Sequence, residues 1–438
     1  MKLRNLILAT IVLLALAGTL YWSDHKKSSE DTSKVSADTA PPVLKIDEAA
    51  VTKLELKKKD AAPIVLSKVD STAWRIIEPQ SYEADQSAVS GLLSSLSPLN
   101  SDRVVEDKAS DLKQYGLDPP VDEVDVTTKD NKTQKLLIGD DTPTGSAVYT
   151  KLASDPRVFT IASYRKTSFD KSLNDLRDKR LITATPDSVS RVELSRKNET
   201  IEFGRDKDEW QILKPKPLRA DSFQVSELVR KITDARMDLS GSDTKDAAPD
   251  YAHGTPVATA KVTDQSGTQE IQVRKDKDSY FAKSSVVAGV YKVNADLGQA
   301  LDKGLEDFRN KKIFDFGYTD PDKIELHIDS GAYFLTKGGN DWWGANGKKL
   351  DAGSADELVS HLRDLTASKF SDTGFANPSI EISVTPNGGK HVEKVSFAKS
   401  GGAYIAKRQD DPSLYVLSAN SIDELKKDAS AVKPASGK

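Results

Sequence analysis

Five histidines are the first candidates for chemistry in this chain: His25, His253, His327, His361 and His391. No two of them stand at metal-ligand spacing. His361 lies in a helical pattern with Asp364 one turn on, which is the spacing of a surface pair. Serine is abundant, but no G-x-S-x-G elbow presents a nucleophile. "GANGKKL", from Gly344, lacks the upstream glycine spacing of a P-loop and the Ser or Thr after lysine, so the sequence offers no nucleotide cradle. Asp140-Asp141 and Asp410-Asp411 are carboxylate pairs, but neither has EF-hand spacing and each is followed closely by proline, as turn residues are. The chain has 67 acidic residues, so carboxylate pairs of the glycosidase kind are numerous, and their separations in space are not legible from sequence. There is no cysteine, which removes disulfides, thiolate nucleophiles, zinc fingers, iron–sulfur clusters and a lipoprotein anchor. Asn131-Lys132-Thr133 and Asn198-Glu199-Thr200 match the glycosylation sequon, which is common by chance. These residues imply no cofactor and no catalytic set.

The elements that would have to position any site follow from length and charge. With 438 residues the chain is long enough for two to four domains with cores of their own. Its 63 basic and 67 acidic residues nearly cancel, which argues against nucleic acid as a partner. Charged residues make up 30% and apolar ones 37%, so lean cores under densely charged surfaces are expected.

The first 25 residues read as a membrane segment. Lys2 and Arg4 precede an uncharged run over residues 6–22, and Tyr21, Trp22, Lys26 and Lys27 fall where interfacial anchors would sit. Those 17 residues span about 25 Å as a helix, just enough for a bilayer core. Ala15-Leu16-Ala17 also fits a signal-peptidase pattern. An uncleaved single-pass anchor is the favoured reading, and both readings export the rest of the chain. Residues 26–45 are polar and Pro-containing, a flexible linker.

Beyond the linker the chain writes similar phrases three times. "AWRIIEP" follows "VTKLELKKKDAAPIVLSKVDST", and "EWQILKP" follows "VSRVELSRKNETIEFGRDKD". "PDKIELHIDSGAYFLTKGGNDWWGANG" is the third version. Each is two alternating strands and a Trp-led third, with Trp74, Trp210 and Trp342 spaced 136 and 132 residues apart. A period of that length marks tandem domains rather than a solenoid. An amphipathic helix follows each Trp strand, from Asp85, Asp221 and Gly353, with Asp or Ser as N-cap. Paired strands and a closing segment complete each copy.

The expected modules are residues 46–183, 184–316 and 317–430, with a polar tail over 431–438. The expected class is α+β, each module mainly antiparallel because its turns are too short for parallel crossovers. Trp74, Trp210 and Trp342 are expected in the cores, packing helix on sheet.

The meander around Leu54, Trp74 and Pro79, the "YGLDPP" stretch from Tyr115 and the "FRNKKIF" segment from Phe308 carry a resemblance to a known family. The exported part resembles, over nearly its whole length, a bacterial domain of unknown function, numbered four thousand three hundred and forty. "YGLDPP" has only degraded counterparts, "DYAHGTP" and "DTGFANP", in the later copies. Genes of that family tend to lie beside components of a gliding-type ABC transporter. The resemblance therefore implies a non-enzymatic accessory of an envelope complex at the inner membrane. The bulk of the chain would be periplasmic, permease or ATPase subunits would be the partners, and no catalytic residue carries over. Two other readings stand beside it. One is a cell-wall or glycan binder using Trp343 and Tyr280 as stacking platforms, and the other a hydrolase with a site between modules.

Overall fold

A computed structural model describes residues 41–70, 73–239, 247–386, 388–389 and 391–435. The expected membrane segment lies outside the described residues. Among those described, no helix is long and apolar enough to cross a membrane. By contacts the chain divides into two compact units, residues 1–179 and 180–438. The described part is α+β, with three large sheets in which every strand pairing is antiparallel.

The three sheets share one plan. In the first, a meander of Val51–Lys58, Ile64–Lys68 and Trp74–Glu78 precedes a helix. A second meander of Asp122–Thr128, Thr133–Asp141, Ala147–Leu152 and Val158–Ala162 follows. The two meanders join through their first strands, with Leu54 opposite Val126. In the second sheet Arg191–Arg196 pairs with Thr255–Asp264, Val192 facing Val262. In the third Lys323–Ile328 pairs with Ile380–Thr385, Ile324 facing Val384. Period-2 alternation sets which face is buried: Val192 and Leu194 point inward, while Arg191, Glu193 and Ser195 alternate with them. The outward rows carry charge ladders. Lys57 bridges Glu123 at 2.9 Å and Asp125 at 3.0 Å across the first sheet. Partial burial opposes the Lys57 charge, yet those two carboxylates hold its ammonium well above the usual lysine range.

A helix covers the inner face of each sheet: Gln86–Leu96, Ser222–Thr233 and Ala352–Asp364. Asp85, Asp221 and Asp351 cap them, the Asp221 carboxylate accepting from the Gln224 N–H at 3.1 Å. In the third copy the cap stands two residues before the Gly353 start read from sequence. Val225, Leu228, Val229 and Ile232 supply the buried stripe at helical spacing.

Trp74, Trp210 and Trp342 are buried beneath these helices. Helix-start side chains satisfy the strand backbone beside two of them: the Trp74 N–H donates to Gln86 Oε1 at 2.8 Å and the Trp210 N–H to Ser222 Oγ at 3.1 Å. The Trp342 indole donates to Asp356 Oδ1 at 3.0 Å. Directly across the strand pair from each tryptophan stands a cation, Lys68, Arg205 or Lys337. Their charged ends lie 5.7, 5.8 and 4.5 Å from the indole rings. In the first two sheets a β-bulge falls at Ile77 and at Leu213, which leaves both apolar side chains exposed.

Trp210→Ala is expected to cost about 3–5 kcal/mol through lost burial and the cavity left behind. Asp221→Ala is expected to cost about 1 kcal/mol as a lost cap. Urea titration of the full chain, followed by far-UV circular dichroism, checks both, and equal costs for the two changes would contradict the core assignment of Trp210.

Candidate functional site

The most elaborate polar constellation lies within residues 180–438, where the second and third sheets meet. It is built on an extended connector, residues 308–314. The Asp221 N–H donates to the Phe308 carbonyl at 2.8 Å, and the Asn310 N–H donates to the Arg219 carbonyl at 3.0 Å. The next residues turn to the third sheet. The Ala367 N–H donates to the Lys311 carbonyl at 2.8 Å, and the Ile313 N–H donates to the Leu365 carbonyl at 3.0 Å. Six residues thus bridge, by backbone pairing, the segment that leads into the second module's helix and the segment that follows the third module's helix.

The same bonds recur at corresponding places. Asp85 and Leu176 are paired at 2.8 Å, as are Asp178 and Glu83 at 2.9 Å. Asp351 and Lys433, then Ala435 and Lys349, do the same at 2.9 Å each, so residues 433–435, inside the stretch read as tail, are part of the third module's architecture. On the incoming side Leu181 pairs with Ala235 at 3.0 Å, and Pro42–Leu44 pairs with Leu99–Asn100.

Side chains then clasp each incoming segment, and the clasp changes chemistry between copies. In the second sheet Gln269 Oε1 accepts from the Thr183 N–H at 2.8 Å, and Ser284 Oγ donates to the Leu181 carbonyl at 2.5 Å. In the third, Glu393 Oε2 accepts from the Asp315 N–H at 2.8 Å, and Arg408 Nη1 donates to the Ile313 carbonyl. Strand register puts Glu393 where Gln269 stands and Arg408 where Ser284 stands. A neutral pair has become an ion pair with N–O distance 2.8 Å and side chains only 3% and 5% exposed. Asp410 adds a two-pronged contact to the other edge of the guanidinium, at 2.9 and 2.8 Å. Burial works against the Arg408 charge, but Asp410 and Glu393 hold it above the ordinary arginine value. Burial likewise opposes the charge on Asp410, and the Arg408 guanidinium overcomes it, keeping that carboxyl below its usual range.

A second layer joins the sheets. Arg219, from the last strand of the first meander in the second sheet, donates to the Lys312 carbonyl at 2.9 Å and to Tyr415 Oη at 3.1 Å. It also reaches Asp315 at 3.2 Å. Tyr415 donates in turn to Asp411 Oδ2 at 2.7 Å, and Asp411 Oδ1 accepts from the Ser413 N–H. Arg309 lies over the Phe370 ring, 3.3 Å from its centre. Burial, then Asp411, push the Tyr415 hydroxyl up to about 12 against the pull of Arg219. Beside this network opens a cleft of about 990 Å³ lined by both sheets and the connector.

The residues singled out from sequence fall in different places. Trp74, Trp210 and Trp342 belong one to each core. Trp343 is 38% exposed, its indole resting on Gly338, where an added Cβ would meet Nε1 at 2.8 Å. Tyr280 is only 9% exposed and packs against Gly298 in the second core, so the expectation of an open stacking face there is corrected: position 280 points to the helix side of its strand. His361 pairs with Asp428 of the Ala419–Ala431 helix at 2.7 Å, not with Asp364. Among the described residues no group of three potential ligands could hold a metal. Asp410 and Asp411 follow Arg408 at the end of its strand, and of the two only Asp411 is buried. An arginine inside the apolar strand "AYIAKR" was the only sequence signal of it.

The model of a family described as a domain of unknown function, DUF4340, matches residues 74–217 and 210–379. The chain belongs to this family. Both matched segments begin at a tryptophan strand, so a DUF4340 unit runs from one Trp strand through the connector into the next. No curated protein matches the chain. Two solved structures of the DNA polymerase sliding clamp from Pseudomonas aeruginosa, one with ligand, align over 87% of this chain and 94% of theirs. They are 10% identical to it with TM-scores of 0.16 and 0.15, too low to carry any argument.

Two outcomes test the junction. Arg408→Ser strands the Glu393 carboxylate, at an expected cost of about 3–5 kcal/mol. The double change E393Q and R408S, which installs the second sheet's pair, should recover more than half of that. Hydrogen-exchange protection of Leu414–Ser418 reads both locally. Tyr415 has a raised folded-state value, so its contribution is complete below pH about 10 and fades as pH rises to about 12. Tyr415→Phe should flatten that alkaline loss relative to the unaltered chain, by on the order of 2 kcal/mol. Parallel alkaline curves would contradict it.

Proposed function

We propose that this chain is a non-enzymatic accessory or scaffold protein of an ABC-type envelope complex, held at the inner membrane by its N-terminal segment. It acts outside the cytoplasm through protein–protein contacts with permease or ATPase subunits. The observation that carries this reading is the shared connector. One extended segment, residues 308–313, bonds to both the second and the third module, which joins these two into one surface. Such surfaces suit contact with large partners. The bulged Ile77 and Leu213 add exposed apolar points at corresponding places in the first two sheets. The transporter context comes from the gene neighbourhood of the resembling family.

Crosslinking in native membranes, gentle solubilisation and affinity purification of the tagged full chain test the reading by mass spectrometry. ABC permease or ATPase subunits are the expected companions, and recovery of wall fragments alone, or of nothing specific with the anchor intact, would overturn it. A glycan-binding role is the second reading, favoured by the exposed ring of Trp343 at the end of a strand. It requires saturable binding to peptidoglycan that Trp343→Ala weakens severalfold.

A further inference from the structure

Phe223 is out of place for a solvated helix start. It lies in the first turn of Ser222–Thr233, yet 70% of its surface is exposed. The corresponding helix positions carry Ser87 and Gly353, so the aromatic ring is particular to the second module. Grooves open on both sides of it. One is the junction cleft of about 990 Å³, and the other is a trough of about 440 Å³ between this helix and Ala295–Leu301, floored by Leu228 and Ala300. An exposed ring between two concavities is the arrangement of an interface anchor rather than of a stray surface residue.

We propose that the junction cleft, with Phe223 on its rim, is the docking site for a cationic polypeptide segment that carries an apolar side chain. This rests on the protein–protein reading above and names the face and the partner's chemistry. Seven carboxylates line the cleft against four cations. Two of those cations, Arg219 and Arg408, are already engaged by Asp315, Glu393 and Asp410. The other four carboxylates, Asp208, Glu209, Asp221 and Asp411, outnumber Lys311 and Lys312, and of these Asp208 already lies 3.7 Å from Arg205. A basic segment is drawn to the excess carboxylates, Glu209 above all, and its apolar side chain packs on the Phe223 ring. The lining is pre-organised, since Arg219 and Arg408 are held by several hydrogen bonds each, so little ordering is required on binding. The volume is at the upper end of what ligand clefts offer, which suits a segment of several residues.

The test uses the full chain in neutral-lipid nanodiscs and two fluorescent synthetic nonapeptides, one alternating lysine and leucine, the other alternating glutamate and leucine. The lysine peptide should saturate in the micromolar range and bind at least tenfold tighter than the glutamate peptide. Phe223→Ser, which installs the first module's residue, should weaken it at least tenfold with an unchanged melting midpoint. Glu209→Lys should weaken it about threefold and reduce the salt dependence. Equal binding of the two peptides, or full affinity in Phe223→Ser, would overturn the proposal. Repeating the membrane crosslinking with Phe223→Ser separates the two readings. If transporter subunits are recovered with the altered chain as with the original, this cleft is not their dock while the accessory role stands. If the original chain captures none yet binds the lysine peptide, the accessory role fails alone.

Discussion

Backbone pairing along a shared connector is the constraint on which the rest of this architecture depends. Residues 308–313 spend their hydrogen bonds alternately, two with the strand and cap at Arg219 and Asp221, two with Leu365 and Ala367 beyond the next helix. Buried amides and carbonyls require partners, and this segment supplies them to the backbone that leads into the second module's helix and to the backbone that follows the third module's helix. Phe308 fills the second core and Ile313 the third, so the same six residues also close two hydrophobic clusters. The helix caps are drawn into the arrangement. Asp85, Asp221 and Asp351 each cap with the side chain and pair with a connector through the backbone N–H. One residue type at one place therefore fixes both where the helix starts and where the chain leaves the module.

The clasp on the connector shows how a repeated position can be given different chemistry. Gln269 with Ser284 and Glu393 with Arg408 hold the same backbone groups. The ionic version gains little net stability, because removing two charges from water offsets most of their attraction. What it adds is directionality: the guanidinium faces a carbonyl, a buried carboxylate and Asp410 at once, which permits one arrangement of hairpin and connector. The Arg219–Tyr415–Asp411 chain extends that arrangement to the second sheet.

Much of the fold was legible because it is local. Alternating strands, short polar turns and capped amphipathic helices each announce themselves within a dozen residues, and writing the phrase three times averages out the noise in any one copy. The Trp strands were legible for the same reason. The connector was not, because its role lies in contacts with residues about 50 to 90 positions away, and "FRNKKIF" reads by itself as a charged closing segment. The junction was hidden differently. Asp410 and Asp411 are turn residues by type, and only the third dimension buries one of them against Tyr415. Tyr280 was misplaced because tyrosine suits either face of a strand, and the side it takes depends on Gly298, whose missing side chain makes room for the ring.

Within a set of repeats, sameness and difference carry separate information. Positions with one chemistry in all three copies, such as the capping aspartates and the tryptophan–cation pairs, are explained by what they do for the module. Positions where one copy departs from the others are not explained that way, since two siblings fold without the change. Phe223 against Ser87 and Gly353 is a departure of this kind, and the position of Arg219, which bonds to Tyr415 and Asp315, carries Glu83 and Lys349 in the other copies. Both lie at the junction of the second and third sheets, where Arg219 and Phe223 line the same cleft. Where such exceptions meet at one junction, they supply there what the plain module lacks.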